Sequence, residues 1–192
     1  MGFLKGSMSF SQYRVEGELS SDFSTMFDTQ LKKCSFPDFI GGAAEKAIGW
    51  TDIGDPLDTG FAFAKYNFGN YLIFSLRIDR KIIPPSLLRV KRLQAEKDFV
   101  AKRDIKKIYK TQREEIKDAV RSDLLKKVPP TPSFFEICWH PQGKRLLFSG
   151  LSDKMFDDFH GLFKESFNVT LHPFLPWDPQ HLSLDFKEKF AT

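Results

Sequence analysis

The chain has 192 residues, 41% of them apolar, which is enough to bury one good core or two small ones sharing an interface. Its longest apolar stretch, Tyr71 to Leu76, is far too short to cross a bilayer, and Met1 to Phe10 lacks the apolar core and cleavage site of a secretory signal, so the expected compartment is the cytoplasm. The net charge of +4 is unevenly spread: Arg89 to Lys127 carries 14 Lys or Arg against 7 Asp or Glu, leaving the remaining chain net acidic.

In chain order, Phe10 to Leu19 reads as a strand. Ser21 or Asp22 can cap a helix whose Phe23, Met26, Phe27 and Leu31 share one face, and Pro37 with Gly41 and Gly42 ends it. Gly49 and Trp50 precede a turn-rich loop, Asp52 to Gly60. Alternating runs from Phe61 to Tyr66 and from Tyr71 to Ile78 then predict two strands, joined by Asn67 to Asn70 as a hairpin. Pro84 and Pro85 suit the start of a helix, because proline has no N–H to lose there. The helical, charged pattern from there to Val128 would extend roughly 65 Å if unbroken, which predicts a projecting helix or a break near Lys102. Pro129, Pro130 and Pro132 stop it. Phe134 to His140 and Arg145 to Ser149 read as a second hairpin. Ser152 opens an amphipathic helix carrying Met155, Phe156, Phe159, Leu162 and Phe163, and Val169 to Leu171 reads as a last strand.

This order predicts an α+β fold, with antiparallel sheets built from β-hairpins packed with amphipathic helices and one long basic helical segment. The chain reads as a single unit, with sub-lobes 1–84 and 133–175 joined by the helical segment 85–128. Most of the 21 phenylalanines, among them Phe61, Phe63, Phe134 and Phe135, sit in patterns that read as core. Cys34 and Cys138 read as buried reduced thiols.

Lys102, Lys106, Lys110, Arg113, Lys117 and Arg121 recur every three or four residues and would form one stripe of a helix. A second stripe, Ile105, Ile108, Tyr109, Ile116, Ala119 and Val120, would place these cations along the rim of whatever the helix packs on. Such a row can track a phosphate backbone. A helix that also carries Glu96, Asp98, Asp104, Glu114, Glu115 and Asp118 can equally be a solvated surface laced with ion pairs. Charge pattern alone leaves both readings open.

Other constellations look chemical and read more simply as structure. Asp52, Asp55 and Asp58 lack the calcium-loop pattern and suit a turn. His140, His160, His172 and His181 are scattered, with no second ligand at metal spacing. Asp157, Asp158 and His160 would be the residues of a nuclease, yet they fit the solvent side of a helix. Gly41 and Gly42 lack a phosphate-loop context, and no nucleophile elbow or dinucleotide fingerprint occurs. The expectation is a protein without catalysis, cofactor, metal or small-molecule substrate.

Several segments, in order, resemble the recombination-associated RdgC family: Gly49 and Trp50, Ile82 to Pro85, Leu124 and Leu125 before proline, Phe135 to Trp139 turning to Arg145 to Phe148, and Leu171 to Leu175. The resemblance implies a nucleoid-associated protein that dimerises, closes a ring around duplex DNA without sequence preference, and limits access of the RecA recombinase. The 192 residues end where the family's second half would begin, so contact with DNA is expected and encirclement is not. Lys126 to Phe134 is proline-rich where the family has an arginine and an aromatic, so only the basic character of the helix carries over. The alternative function is a protein-interaction module with the same core and no DNA binding.

Overall fold

The computed structural model describes residues 2–4, 6–19, 23–39, 42–105 and 107–175. The elements are β1 (Ser11–Glu16), α1 (Phe23–Lys33), β2 (Lys46–Thr51), α2 (Phe63–Tyr66), β3 (Asn67–Phe68), β4 (Tyr71–Arg80), α3 (Pro85–Arg103), α4 (Lys110–Lys127), β5 (Thr131–His140), β6 (Arg145–Phe148), α5 (Asp153–Phe167) and β7 (Thr170–Pro173). The fold is α+β. Its strands form one sheet in the order β2-β4-β5-β6-β1-β7, with β3 beside β4. The pairs β1 with β6, β1 with β7, β3 with β4 and β5 with β6 are antiparallel.

The chain divides into two compact units, one of residues 1–36, 48–77 and 134–192, the other of residues 37–47 and 78–133. The first holds an aromatic core. Trp50, Trp139, Phe27, Phe74, Phe148, Phe159 and Phe163 are all but fully buried. Phe27 lies edge-on to Phe74 and stacks on Phe167, while Trp139 meets Phe163 at 5.0 Å. These geometries are those aromatic rings prefer, because the positive edge of one faces the negative face of the next. The Trp50 indole Nε1 donates to Ser166 Oγ at 2.9 Å, and that hydroxyl donates to Leu162 O at 2.8 Å. The helices that supply the core follow their apolar spacing: α1 buries Phe27 and Leu31, and α5, capped by Ser152 accepting from Met155 N, buries Phe159, Phe163 and Phe167. The Ser21 or Asp22 cap expected for α1 lies outside the described residues, as does His181.

Four local expectations need correction. Phe61 to Tyr66 is not a strand: Phe61 takes a φ of 48°, and Phe63–Tyr66 forms a single helical turn. The alternation came from the rings of Phe61 and Phe63 two residues apart, yet Phe61 reaches the core and Phe63 is 55% exposed. Gly49 and Trp50 do not merely precede a loop; they lie in β2, the end strand of the sheet, where Gly49, Trp50 and Thr51 are all buried, so no alternation marks it. Phe134 points outward rather than into the core, with Arg77 above its ring. Both cysteines are free and only half-buried.

Within the second unit the charged segment is two helices. Asp104 ends α3 in the left-handed conformation, φ 50° and ψ 41°, which aspartate tolerates better than most side chains. The six-residue connection Asp104 to Tyr109 carries two β-branched isoleucines, poor helix formers, and one of them, Ile108, becomes buried. Tyr109 N then donates to Gln112 Oε1 at 3.0 Å as α4 begins. The two helices pack against each other as a helical hairpin. The break predicted near Lys102 is therefore the arrangement found.

A candidate nucleic-acid interface on the basic unit

The unit of residues 37–47 and 78–133 holds 17 Lys or Arg against 10 Asp or Glu, a net charge of +7, so the rest of the chain is net −3. This charge is displayed mainly by α3 and α4. No residue of the 19-residue α3 is buried, and α4 buries only Leu124 and Leu125 near its end.

The predicted stripe is divided by the break. Lys102 lies in the last turn of α3, Lys106 falls outside the described residues, and Lys110, Arg113, Lys117 and Arg121 lie along α4. Lys102, Lys110 and Arg113 are exposed and have no ion-pair partner among the described residues. Lys117 pairs with Glu114 at 3.2 Å. Arg121 grips Glu45, Nη2 and Nε lying 2.7 and 2.9 Å from Oε1. Both readings of the mixed-charge helix are thus present on one surface, with free cations towards the start of α4 and paired ones towards its end.

The apolar seam differs from the predicted one. Ile105 and Ile108 lie in the connection, Tyr109 is 66% exposed, and Ala119 is exposed. At 100° per residue, Leu124 and Leu125 sit roughly 60° and 40° to either side of the direction of Arg121, so the cationic stripe runs into the buried end of the helix. Lys81, which sequence reasoning passed over, is buried beside this end. Its Nζ donates to Gly42 O at 2.6 Å and lies 4.9 Å from the centre of the Phe39 ring. Only tertiary folding brings Phe39 and Gly42 to that ammonium; no local pattern announces it.

The remaining constellations are structural in their contacts. Asp52 Oδ1 accepts from Gly54 N and Asp55 N, Asp55 Oδ1 from Leu57 N, and Asp58 Oδ1 from Gly60 N, so the three carboxylates brace their own loop. Lys65 pairs with Asp58 and holds its carboxyl below the usual range. His160 stacks on Phe156, and its Nε2 accepts from Leu171 N at 3.4 Å. Burial, with Lys164 and His172 nearby, lowers the His160 pKa from 6.5. Among the described residues no group of three or more His, Cys, Asp or Glu is placed to hold a metal ion, and no helix is long and apolar enough to cross a membrane.

Residues 8–185 match the family model described as "Putative exonuclease, RdgC". The chain belongs to the RdgC family. No curated protein matches it. RdgC membership over nearly the whole chain supports a recombination-associated, DNA-related function.

Proposed function

We propose that this RdgC-family chain binds duplex DNA without sequence preference through α3 and α4, acts as a homodimer without catalysing a reaction, and modulates recombination by occupying DNA needed by the RecA recombinase. The observation that carries the reading is the set of cations Lys102, Lys110 and Arg113, exposed and without an ion-pair partner among the described residues, on a unit of net charge +7. Cations on a duplex surface displace condensed counterions and gain affinity independent of sequence. The paired Lys117 and Arg121 are compatible with this role, because exposed ion pairs contribute only about 0–1 kcal/mol and exchange readily for phosphate.

The test is fluorescence anisotropy of a labelled duplex against protein at several salt concentrations, for the native chain and for Lys102→Glu/Lys110→Glu/Arg113→Glu. Steep weakening with salt and loss of binding in the variant are expected. Unchanged duplex affinity in the variant overturns the proposal.

A second reading rests on the exonuclease description of the family. It assigns Asp157, Asp158 and His160 on α5 to the chemistry. Release of end label from linear duplex with magnesium or manganese, abolished by Asp157→Asn/Asp158→Asn, would establish it in place of simple occupancy.

A further inference from the structure

Of the net charge of +7 on the second unit, +5 lies between Lys102 and Arg113, where six Lys or Arg stand against a single acid, Asp104. These residues close the helical hairpin: they are the end of α3, the connection and the start of α4. Among them stands Tyr109, at 66% exposure the most open aromatic ring of the described residues. Lys107 and Lys110, two positions before it and one after, are exposed and have no ion-pair partner among the described residues.

The backbone fixes where this ring stands. Ile108 is buried and anchors the connection, whereas Tyr109 beside it turns to solvent. Tyr109 N donates to Gln112 Oε1 at 3.0 Å, and Tyr109 O accepts from Arg113 N at 3.1 Å, so the first turn of α4 holds the residue by both its polar backbone groups. The other exposed rings have a neighbour against them: Tyr71 stacks on His140, Phe134 lies beneath Arg77, and Phe63 meets Tyr66 edge-on. No ring or cation lies over Tyr109 among the described residues.

A lone exposed ring on an otherwise neutral surface is ordinary. A ring held out among cations, with one acid nearby, suits a ligand that is planar and anionic together. An unpaired nucleotide is that ligand, since every base has a π-face and carries a phosphate on either side. Bases inside a duplex show only their edges in the grooves and offer the ring no face. We propose that Tyr109 stacks on one unpaired base of single-stranded DNA, with Lys107 and Lys110 on the phosphates that flank it. The inference rests on the reading of α3 and α4 as a DNA-contacting surface and adds to it a site for strands with unpaired bases. An acidic peptide would engage the lysines without requiring the ring.

The test measures fluorescence anisotropy of the full chain with three labelled probes: a short oligothymidylate, an abasic strand of the same length, and duplex DNA. Tyr109→Leu is expected to weaken oligothymidylate binding by roughly five- to a hundredfold, the worth of one base stacked on an aromatic ring. Tyr109→Phe keeps the ring and should bind as the native chain does. Duplex binding should stay at the native value in both variants. The abasic strand keeps the phosphates and removes the bases, so the native chain should bind it as weakly as Tyr109→Leu binds oligothymidylate. Four results would each overturn the proposal: oligothymidylate affinity unchanged in Tyr109→Leu, abasic strand bound as tightly as oligothymidylate, an equal loss on duplex and single strand, or displacement by a glutamate peptide of equal charge as readily as by unlabelled oligothymidylate. The two readings fail separately. Duplex binding that is lost on reversing Lys102, Lys110 and Arg113, beside oligothymidylate binding indifferent to Tyr109, keeps duplex occupancy and removes the stacking site. Oligothymidylate binding that depends on Tyr109, without duplex binding, keeps the stacking site and removes duplex occupancy.

Discussion

Arg121 on α4 holds Glu45, 76 positions away in sequence, through two nitrogens within 2.9 Å of one carboxylate oxygen. Both side chains are about half exposed, so the pair contributes little to stability. Its larger effect is on charge, because Glu45 occupies a cation that would otherwise face phosphate. Glu45→Gln should therefore leave the unfolding midpoint nearly unchanged and tighten duplex binding at low salt. If Arg121 gains one phosphate contact, the slope of log K against log salt steepens by about 0.9. Weaker binding in this variant would show that the pair positions α4 instead of competing with DNA.

The Trp50 to Ser166 bond joins β2 to α5 deep in the aromatic core, with both residues buried. Ser166→Ala leaves the indole N–H buried without an acceptor, a loss of about 1–3 kcal/mol in urea unfolding. Ser166→Thr keeps the hydroxyl and separates this effect from packing.

Gly49 lies where β2 passes the chain after α1. A Cβ there would stand 2.3 Å from Phe36 Cα and 2.5 Å from Phe36 N, and both are backbone atoms that cannot swing away. Phe36 N donates to Trp50 O at 2.9 Å, and Trp50 N to Cys34 O at 3.0 Å, so the two segments are clamped at this approach. Gly49→Ala should destabilise the fold by about 1–3 kcal/mol, read by thermal or urea unfolding.

His160 provides a pH test. Its folded pKa lies below 6.5 because burial, Lys164 and His172 all disfavour the cation, and Asp157 offsets them only in part. The folded state then binds fewer protons than the unfolded state near pH 6. The contribution is present above the unfolded value and is lost as pH falls through the folded one. Between pH 7.5 and 5.5 the native chain should lose more stability than His160→Gln, which keeps an acceptor for Leu171 N and cannot titrate. An equal loss in both proteins would assign the acid sensitivity elsewhere.

The amphipathic helices were legible because Phe27 and Leu31, or Phe159 and Phe163, recur at helical spacing and bury one face. The second hairpin was legible from its turn between two apolar runs, and the break in the charged segment from its length. β2 was not, since its consecutive buried residues Gly49, Trp50 and Thr51 show no alternation, and the helical turn at Phe63–Tyr66 was masked by rings spaced as in a strand. Of the candidate interface, the concentration of charge could be read directly, whereas the single stripe could not, because the break at Asp104 sets Lys102 on a different helix from Lys110, Arg113, Lys117 and Arg121. Which cations are free could not, because Glu45 and Glu114 are equally good partners on paper and only geometry chooses among them.

By itself, then, the sequence determined the α+β plan, the basic segment and the family, since these follow from local periodicity, charge and ordered motifs. Tertiary structure alone decided that Arg121 is engaged while Lys110 and Arg113 have no ion-pair partner among the described residues, and that Lys81 is buried against Phe39 and Gly42. Each depends on segments far apart in the chain meeting at hydrogen-bond range, and no short-range pattern encodes that distance.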